Sequence, residues 1–140
     1  MTNLEISEHK LQIIENINGS IMHALKKSDL GFNGFGEVYF SQVKYRNIKA
    51  WKKHKRMTMN LVVPEGSVRF VFYNEKEKNF KEYKIGENNY CRLTVKPSIW
   101  FGFQGLGKGK NIVMNIANME HDPNESERKD VSDLHYLWEI

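Results

Sequence analysis

The sequence predicts a single all-β domain, a sandwich or barrel built from short strands. Runs rich in Val, Ile, Phe and Tyr recur at close spacing, and Gly, Pro and Asn supply turn signals between them. A length of 140 residues suits one domain with its own core, and no internal repeat or linker divides it. We therefore expect residues 1–140 to form one domain, with residues 1–28 as an N-terminal extension.

The individual elements follow from the same patterns. Residues 37–43 form the first clear strand, and residues 57–63 and 67–73 flank Pro64-Glu65-Gly66, which predicts a hairpin. Residues 118–133 are polar and loop-like. Residues 134–138 could add an edge strand. Further strands are predicted over residues 80–85, 90–95, 99–103 and 112–116.

The N-terminal extension is expected to be partly helical. Leu11, Ile14 and Ile21 belong to an apolar series with roughly helical spacing, which Asn18-Gly19 interrupts. A short helical segment ahead of the β domain is the resulting prediction.

The composition narrows the classes of partner and compartment. Lys and Arg number 21 against 17 Asp and Glu, so the formal net charge is only +4. A small anionic ligand accounts for a local basic cluster as well as a nucleic acid does, and we expect no nucleic-acid partner. No apolar stretch approaches the length of a membrane span, and the N-terminus lacks a signal-peptide core. We expect a cytoplasmic protein with no membrane partner.

Cysteine and histidine usage points away from disulfides and metals. Cys91 is the only cysteine in the sequence, which rules out an internal disulfide and a cysteine-based zinc site. It lies in a strand-like run and is expected to be a small buried hydrophobe. The five histidines are isolated, and no pair has the spacing of metal ligands on a strand. We expect no metal.

A basic run over residues 48–56 is the most informative stretch for function. So many cationic groups cannot share a dry interior unless some deprotonate or meet an anion. The run is therefore either a solvated edge or one wall of an anion-binding pocket, and the pattern leaves both open. If residues 50–62 are extended, one polar face collects Lys52, His54, Arg56, Thr58 and Asn60.

A second stretch, residues 96–107, combines aromatic side chains with glycines. Trp100, Phe101 and Phe103 could stack on a base or a sugar, or they could belong to the core, which the pattern alone favours. The glycines do not form a phosphate loop, because no Gly-Lys-Ser/Thr follows them.

Five motifs occur in one order along the chain: GEVYF at residues 36–40, IKAWK at 48–52, PSIWFGF at 97–103, HDP at 121–123, and Asp133 with Trp138. With these motifs, residues 29–138 resemble the cupin-fold dTDP-4-dehydrorhamnose 3,5-epimerases and related nucleotide-sugar epimerases. The resemblance implies a cupin jelly roll. It also implies an isomerase acting next to the 4-keto group of a dTDP-linked or similar 4-keto-6-deoxyhexose, in cell-surface polysaccharide biosynthesis. Such enolate chemistry needs no cofactor.

The resemblance also assigns roles by position. The family's histidine base falls on Lys52, with His54 two residues on, and its second histidine falls on Phe101. The tyrosine acid falls on Asn115, while the aspartate that orients the base falls on Asp133. Lys52 and His54 are therefore expected to transfer protons or to stabilise an enolate, with Asp133 as the third catalytic residue.

Substrate binding is expected to involve residues from both informative stretches. Lys49 and Arg56 would hold the diphosphate, and Trp100 and Phe101 would line the sugar or base pocket. The other expected substrate-binding residues are Asn60, Asn115 and Glu37, and the candidate acids are Tyr39, Tyr45 and His121.

The resemblance implies a homodimer in which an early strand of one subunit completes the other's site, with Phe32 and Glu37 near that pocket. Two alternatives to the epimerase stay open. One is a non-catalytic cupin that binds a sugar nucleotide, and the other is a cupin enzyme with different carbohydrate chemistry.

Overall fold

The computed structural model describes residues 5–138, whose regular secondary structure consists of strands and two 3₁₀ turns joined by loops. The 3₁₀ turns are Pro123–Glu125 and Val131–Asp133. In that part of the chain, no helix is both long and apolar enough to cross a membrane. The strands are β1 (Ile6–Lys10), β2 (Ile13–Ile14), β3 (Ile21–Met22), β4 (Glu37–Gln42), β5 (Ile48–His54), β6 (Met59–Glu65), β7 (Ser67–Asn74), β8 (Asn79–Gly86), β9 (Cys91–Val95), β10 (Trp100–Gly105), β11 (Ile112–Ala117) and β12 (Ser126–Arg128).

Two five-stranded sheets form the sandwich. The first sheet has the strand order β1-β9-β6-β11-β4, and the second has the order β12-β5-β10-β7-β8. All the pairings within them are antiparallel. Their facing sides meet in a core that includes Val63, Phe70 and Leu93, each fully buried. Cys91 lies at the rim of this core as a free, buried thiol. The predicted all-β sandwich is confirmed.

The predicted N-terminal helical segment is wrong over the described residues, and residues 1–4 lie outside them. β1 pairs with β9 in the first sheet, and β2 and β3 form a small hairpin. Asn16 and Gly19 close that hairpin, with the Gly19 N–H donating to the Asn16 carbonyl at 3.0 Å. The isoleucines are β-branched and favour strands, and Asn-Gly is a turn signal, so these local preferences outweigh the helical spacing.

The predicted hairpin between residues 57–63 and 67–73 is also wrong. β6 belongs to the first sheet and β7 to the second, so the intervening turn carries the chain from one sheet to the other. Gly66 makes the turn with φ +84°, and a Cβ there would lie 2.3 Å from the Lys110 carbonyl oxygen. Both edges of β6 are already paired, with β9 and β11, which leaves no edge for β7.

The predicted edge strand at residues 134–138 does not form. Leu134, Tyr136 and Trp138 instead pack on the outer face of the second sheet, where the Trp138 ring lies 5.5 Å from that of Trp51. Apolar side chains do alternate over residues 134–138, but they cover the outer face of the second sheet and form no strand at its edge.

Candidate active site

A cavity of about 790 Å³ opens between the two sheets. Its volume falls in the range of small-molecule sites. One wall comes from β4, β6 and β11 of the first sheet, and the other from β5, β7 and β10 of the second. The lining includes Tyr39, Ser41, Met59, Leu61, Val113 and Asn115 from the first sheet, Lys49, Lys52, His54, Phe70, Phe101 and Phe103 from the second, and Arg128, Lys129, Asp130 and Asp133 at the mouth.

His54 is the central polar group of the cavity. It is the last residue of β5 and is only 4% exposed. Its Nδ1 is hydrogen-bonded to a carboxylate oxygen of Glu125, which is itself 2% exposed. A carboxylate can only accept, so Nδ1 carries the hydrogen and Nε2 of the neutral ring keeps its lone pair. Nε2 has no hydrogen-bond partner among residues 5–138.

Glu125 is held firmly below His54. Its second carboxylate oxygen accepts the backbone N–H groups of Arg56 and Met57, each at 3.2 Å. The residue closes the 3₁₀ turn that Asp122 caps by accepting the N–H of Asn124 at 2.9 Å. Ser126, the first residue of β12, pairs with His54 of β5. This pairing fixes the position of the preceding residue, Glu125, along β5.

The protonation states follow from burial and from this hydrogen bond. Burial lowers the pKa of His54 below its ordinary value of 6.5, although the Glu125 carboxylate pulls in the other direction. Burial opposes ionisation of Glu125, but the hydrogen bonds from His54 and from the two backbone amides together bring its pKa below 4.5. At neutral pH the pair is therefore a neutral imidazole beside a carboxylate.

Phe101 and Lys52 flank the imidazole. The Phe101 ring stacks on His54 with a centroid distance of 5.9 Å and an interplanar angle of 18°. Lys52 shares the cavity wall two residues before His54. Burial, and then the nearby Arg128 guanidinium, lower the Lys52 pKa from 10.5. Arg128 lies directly opposite Lys52 in the β12–β5 pairing.

Asn115 and Tyr39 form a second polar pair, on the wall of the first sheet. The Asn115 Nδ2 donates to the Tyr39 hydroxyl at 3.0 Å. The Asn115 Oδ1 is buried, with no partner within the described part of the chain. Both side chains line the cavity.

Six of the predicted site residues meet in this cavity: Lys49, Lys52, His54, Phe101, Asn115 and Asp133. The residue that contacts His54 is Glu125, which the sequence analysis did not single out. The Asp133 carboxylate instead accepts the backbone N–H of Asp130 at 2.8 Å at the cavity mouth.

Four other predicted residues lie away from the cavity lining. Arg56 is exposed and bonds Asp122 at 2.9 Å, because the chain leaves the strand after His54 and β6 begins only at Met59. The predicted polar face therefore ends at His54. The other three are Asn60, Trp100 and Glu37. The Asn60 side-chain oxygen accepts hydrogen bonds from Arg92 and Thr94, whereas Trp100 packs in the outer aromatic cluster and donates to Glu75. Glu37 is the first residue of β4.

Sequence reasoning missed Glu125 and Arg128. The Asp122-Pro123 turn was visible, but only the pairing of β12 with β5 brings these side chains to the site. The structure also gathers no group of three or more His, Cys, Asp or Glu residues in a metal-binding arrangement, counting residues 5–138.

Comparison with known proteins places the chain in a family. No family model and no curated protein sequence matches it. Among solved structures, a dTDP sugar isomerase from Desulfovibrio desulfuricans G20 superposes with a TM-score of 0.90 at 32% identity, over 96% of this chain and 91% of that one. This chain belongs to the cupin-fold family of dTDP-sugar isomerases. The family resemblance predicted from the motifs is thereby confirmed.

Two solved structures with lower sequence identity to this chain share its fold and are enzymes of different reactions. A sugar 3,4-ketoisomerase from Thermoanaerobacterium thermosaccharolyticum, solved with TDP, matches at TM-score 0.78 and 18% identity, over 91% of this chain and 90% of that one. A dTDP-4-dehydrorhamnose 3,5-epimerase from Sulfolobus tokodaii matches at TM-score 0.84 and 17% identity, over 99% and 83%. At these low identities, the two structures show a shared fold and nothing more.

Proposed function

We propose that this nucleotide-sugar isomerase acts on a dTDP-linked or similar 4-keto-6-deoxyhexose and removes a proton from a carbon next to the ketone. The observation that carries the proposal is the buried His54–Glu125 pair at the wall of a cavity of substrate size, where Nε2 of the neutral imidazole keeps its lone pair and has no partner within residues 5–138. We further propose that the reaction takes place in the cytoplasm and supplies cell-surface polysaccharide biosynthesis.

The pair can carry out the first chemical step. His54 Nε2 takes the proton from the carbon, and the C–H electrons move to the carbonyl oxygen to give an enolate. The imidazolium that forms is stabilised by Glu125, in the manner of a carboxylate behind a catalytic histidine. Lys52, as an ammonium, stabilises the enolate oxygen, because opposite charges attract strongly in a site that excludes water.

The mouth of the cavity suits the diphosphate. Lys49, Arg128 and Lys129 are exposed there, so an anionic group can contact them without the cost of a fully buried charge. Arg128 takes the role that the sequence suggested for Arg56, since a guanidinium can contact two phosphate oxygens at once.

Replacing Arg128 with alanine should weaken dTDP binding about tenfold, as expected for a lost charge-assisted contact. Isothermal titration calorimetry with dTDP measures this change. Arg56→Ala is the matched control, because Arg56 is exposed and pairs with Asp122 outside the cavity lining. Equal Kd values for the two variants would contradict the role of Arg128.

A panel of nucleotide-linked 4-keto sugars in deuterated water tests the function itself. The enzyme should place deuterium at a carbon next to the ketone of at least one of them, which NMR detects directly. Tight binding of every sugar without any exchange would point to a non-catalytic sugar-nucleotide-binding protein and would contradict the proposal.

We also propose a homodimer built on the edge of the first sheet. β4 is an outer strand of that sheet, and its outward side chains Val38 and Phe40 are 46% and 65% exposed. An exposed apolar edge strand invites pairing with another chain, and the family resemblance names a second copy as that chain. Phe32 and Glu37 would then approach the neighbouring site.

Phe40→Glu should convert the dimer to a monomer, because it places a charge at the centre of this apolar edge. Light scattering after size-exclusion chromatography measures the mass. Leu137→Glu is the control, since Leu137 is 93% exposed on the C-terminal segment, away from β4. A wild-type monomer would contradict the dimer proposal.

A further inference from the structure

We propose that Trp51 positions the mouth of the cavity from the outer face of the second sheet, and that it thereby holds Arg128 ready for the diphosphate. The proposal rests on the function proposed above, in which Arg128 contacts the diphosphate, and deepens it by naming a positioning residue for that contact. It also gives a role to the C-terminal strap, residues 129–138, which runs from the cavity mouth to the outer aromatic cluster.

Trp51 connects the cavity wall with the outer face of the sheet. It borders the cavity on β5, immediately before Lys52. Its ring packs in the outer aromatic cluster with Val71 and Trp100, and the residue is only 2% exposed. Because successive side chains of a strand point to opposite faces, β5 presents Lys52 to the cavity and the Trp51 ring to the strap.

Three hydrogen bonds tie Trp51 to the start of the strap. Its backbone N–H donates to the Lys129 carbonyl at 3.0 Å, and its carbonyl accepts the Lys129 N–H at 3.1 Å. The indole Nε1–H donates to the Val131 carbonyl at 3.1 Å. The two backbone bonds can form with almost any residue at position 51, whereas the third requires a side chain that reaches Val131 and carries a donor.

Beyond Val131 the strap folds into a closed turn. The Asp133 N–H donates to the Asp130 carbonyl at 2.9 Å, and the Asp133 carboxylate accepts the Asp130 N–H at 2.8 Å. These bonds make residues 130–133 a compact unit, so one hydrogen bond to Val131 holds all of it. Asp130 and Asp133 line the cavity mouth, and the Trp51 indole therefore also controls where their carboxylates lie.

The position of these two carboxylates matters to Arg128. Arg128 precedes Asp130 by only two residues, yet its guanidinium forms no ion pair with any carboxylate between residues 5 and 138. A guanidinium binds carboxylates and phosphates with the same donors, so a carboxylate that reached Arg128 would compete with the diphosphate. The bond from Trp51 to Val131 holds the turn in place and so keeps Arg128 available.

The far end of the strap is held by packing alone. The Trp138 ring lies 5.5 Å from the Trp51 ring, and the Tyr136 ring meets Trp51 edge-on at 6.4 Å. The Trp138 Nε1 is buried and has no hydrogen-bond partner among the described residues. Trp51 and Trp138 thus share one cluster, but only the Trp51 indole is bonded to the strap backbone.

Trp51→Phe tests the proposal, because phenylalanine keeps an aromatic ring in the cluster and removes the indole N–H. The Kd for dTDP and the KM should both rise about fivefold, as expected for one lost hydrogen bond behind a charged contact. The kcat should not change, because His54 and Glu125 keep their own hydrogen bonds. Calorimetry and NMR exchange kinetics measure these quantities, and urea unfolding checks that the variant is folded.

Trp138→Phe is the matched control. It is the same substitution in the same cluster, and it removes an indole N–H that bonds nothing among the described residues. The control should bind dTDP as the wild type does. Equal Kd values for the two variants, or a fall in kcat without a rise in KM in Trp51→Phe, would overturn the positioning role.

Combining Trp51→Phe with Arg128→Ala shows whether Trp51 acts through Arg128. The double variant should bind dTDP no more weakly than Arg128→Ala alone, because both changes remove the same contact. Losses that multiply would mean that Trp51 affects binding by another route, and would contradict the proposal.

Hydrogen–deuterium exchange of the wild type tests the positioning without any variant. The backbone amides of Lys129 and Asp133 should exchange slowly before ligand is added, and dTDP should change their rates little. Protection that appears only with dTDP would show that the ligand orders the mouth, and would overturn the role of Trp51. Absence of dTDP binding by the wild type would instead contradict the diphosphate site of the proposed function.

Discussion

His54→Asn should lower kcat about 10²–10⁴-fold and abolish deuterium exchange at the substrate carbon, since it removes the general base. Asparagine is close to histidine in size, and its amide can still donate to Glu125, so the carboxylate is not left without a partner. Binding of dTDP should therefore change by less than about tenfold, as the diphosphate is held at the cavity mouth. Calorimetry and NMR exchange measure the two quantities separately.

The matched control is His135→Asn, the same substitution at an exposed histidine outside the cavity lining. It should leave exchange at the wild-type rate. Exchange by His54→Asn at that rate would identify another base, with Lys52 the next group to test, since burial and Arg128 lower its pKa.

The strands could be predicted because their signals are local, but their pairing could not. Runs of β-branched and aromatic residues lie close to where the sequence analysis placed them for β4 and for β6 to β11, whereas β5 was not among the predicted strands. The turn at Gly66 was also visible. A tight turn looks the same whether the chain stays within a sheet or crosses to the other one, so the assignment of β7 required its long-range pairing with β10.

Of the candidate site, only the residues on β5 could be predicted from a local pattern. Lys52 and His54 lie on one short strand, where alternation places them on the same face, and both line the cavity. Alternation then failed at Arg56, because no local signal showed that the strand ends after His54. Glu125 is 71 residues from His54, and the strand that brings it there has only three residues, too few for a recognisable pattern.

Glu125→Gln should affect both stability and rate. The carboxylate accepts from His54 and from two backbone amides in a buried environment, so weakening these bonds should cost on the order of 3 kcal/mol of unfolding free energy. The rate should fall about 10²-fold or more, because the imidazolium loses its counter-charge and a glutamine amide can turn its donor toward the ring. Urea unfolding and NMR exchange measure the two effects. Glu127→Gln is the control, because Glu127 is exposed on β12 and pairs only loosely with Lys53 at 3.5 Å.

The pH profile separates a catalytic role of Glu125 from a structural one. Burial lowers the pKa of His54 below 6.5, and the Glu125 charge partly offsets this by favouring the imidazolium. In the wild-type enzyme the base form is therefore present at neutral pH, and kcat/KM should decline only as the pH falls below 6.5. Glu125→Gln removes the offsetting charge, so the remaining activity should decline at a still lower pH. If the decline of kcat/KM in Glu125→Gln occurred at the same pH as in the wild type, or at a higher pH, Glu125 would support the fold around His54 without acting on its proton.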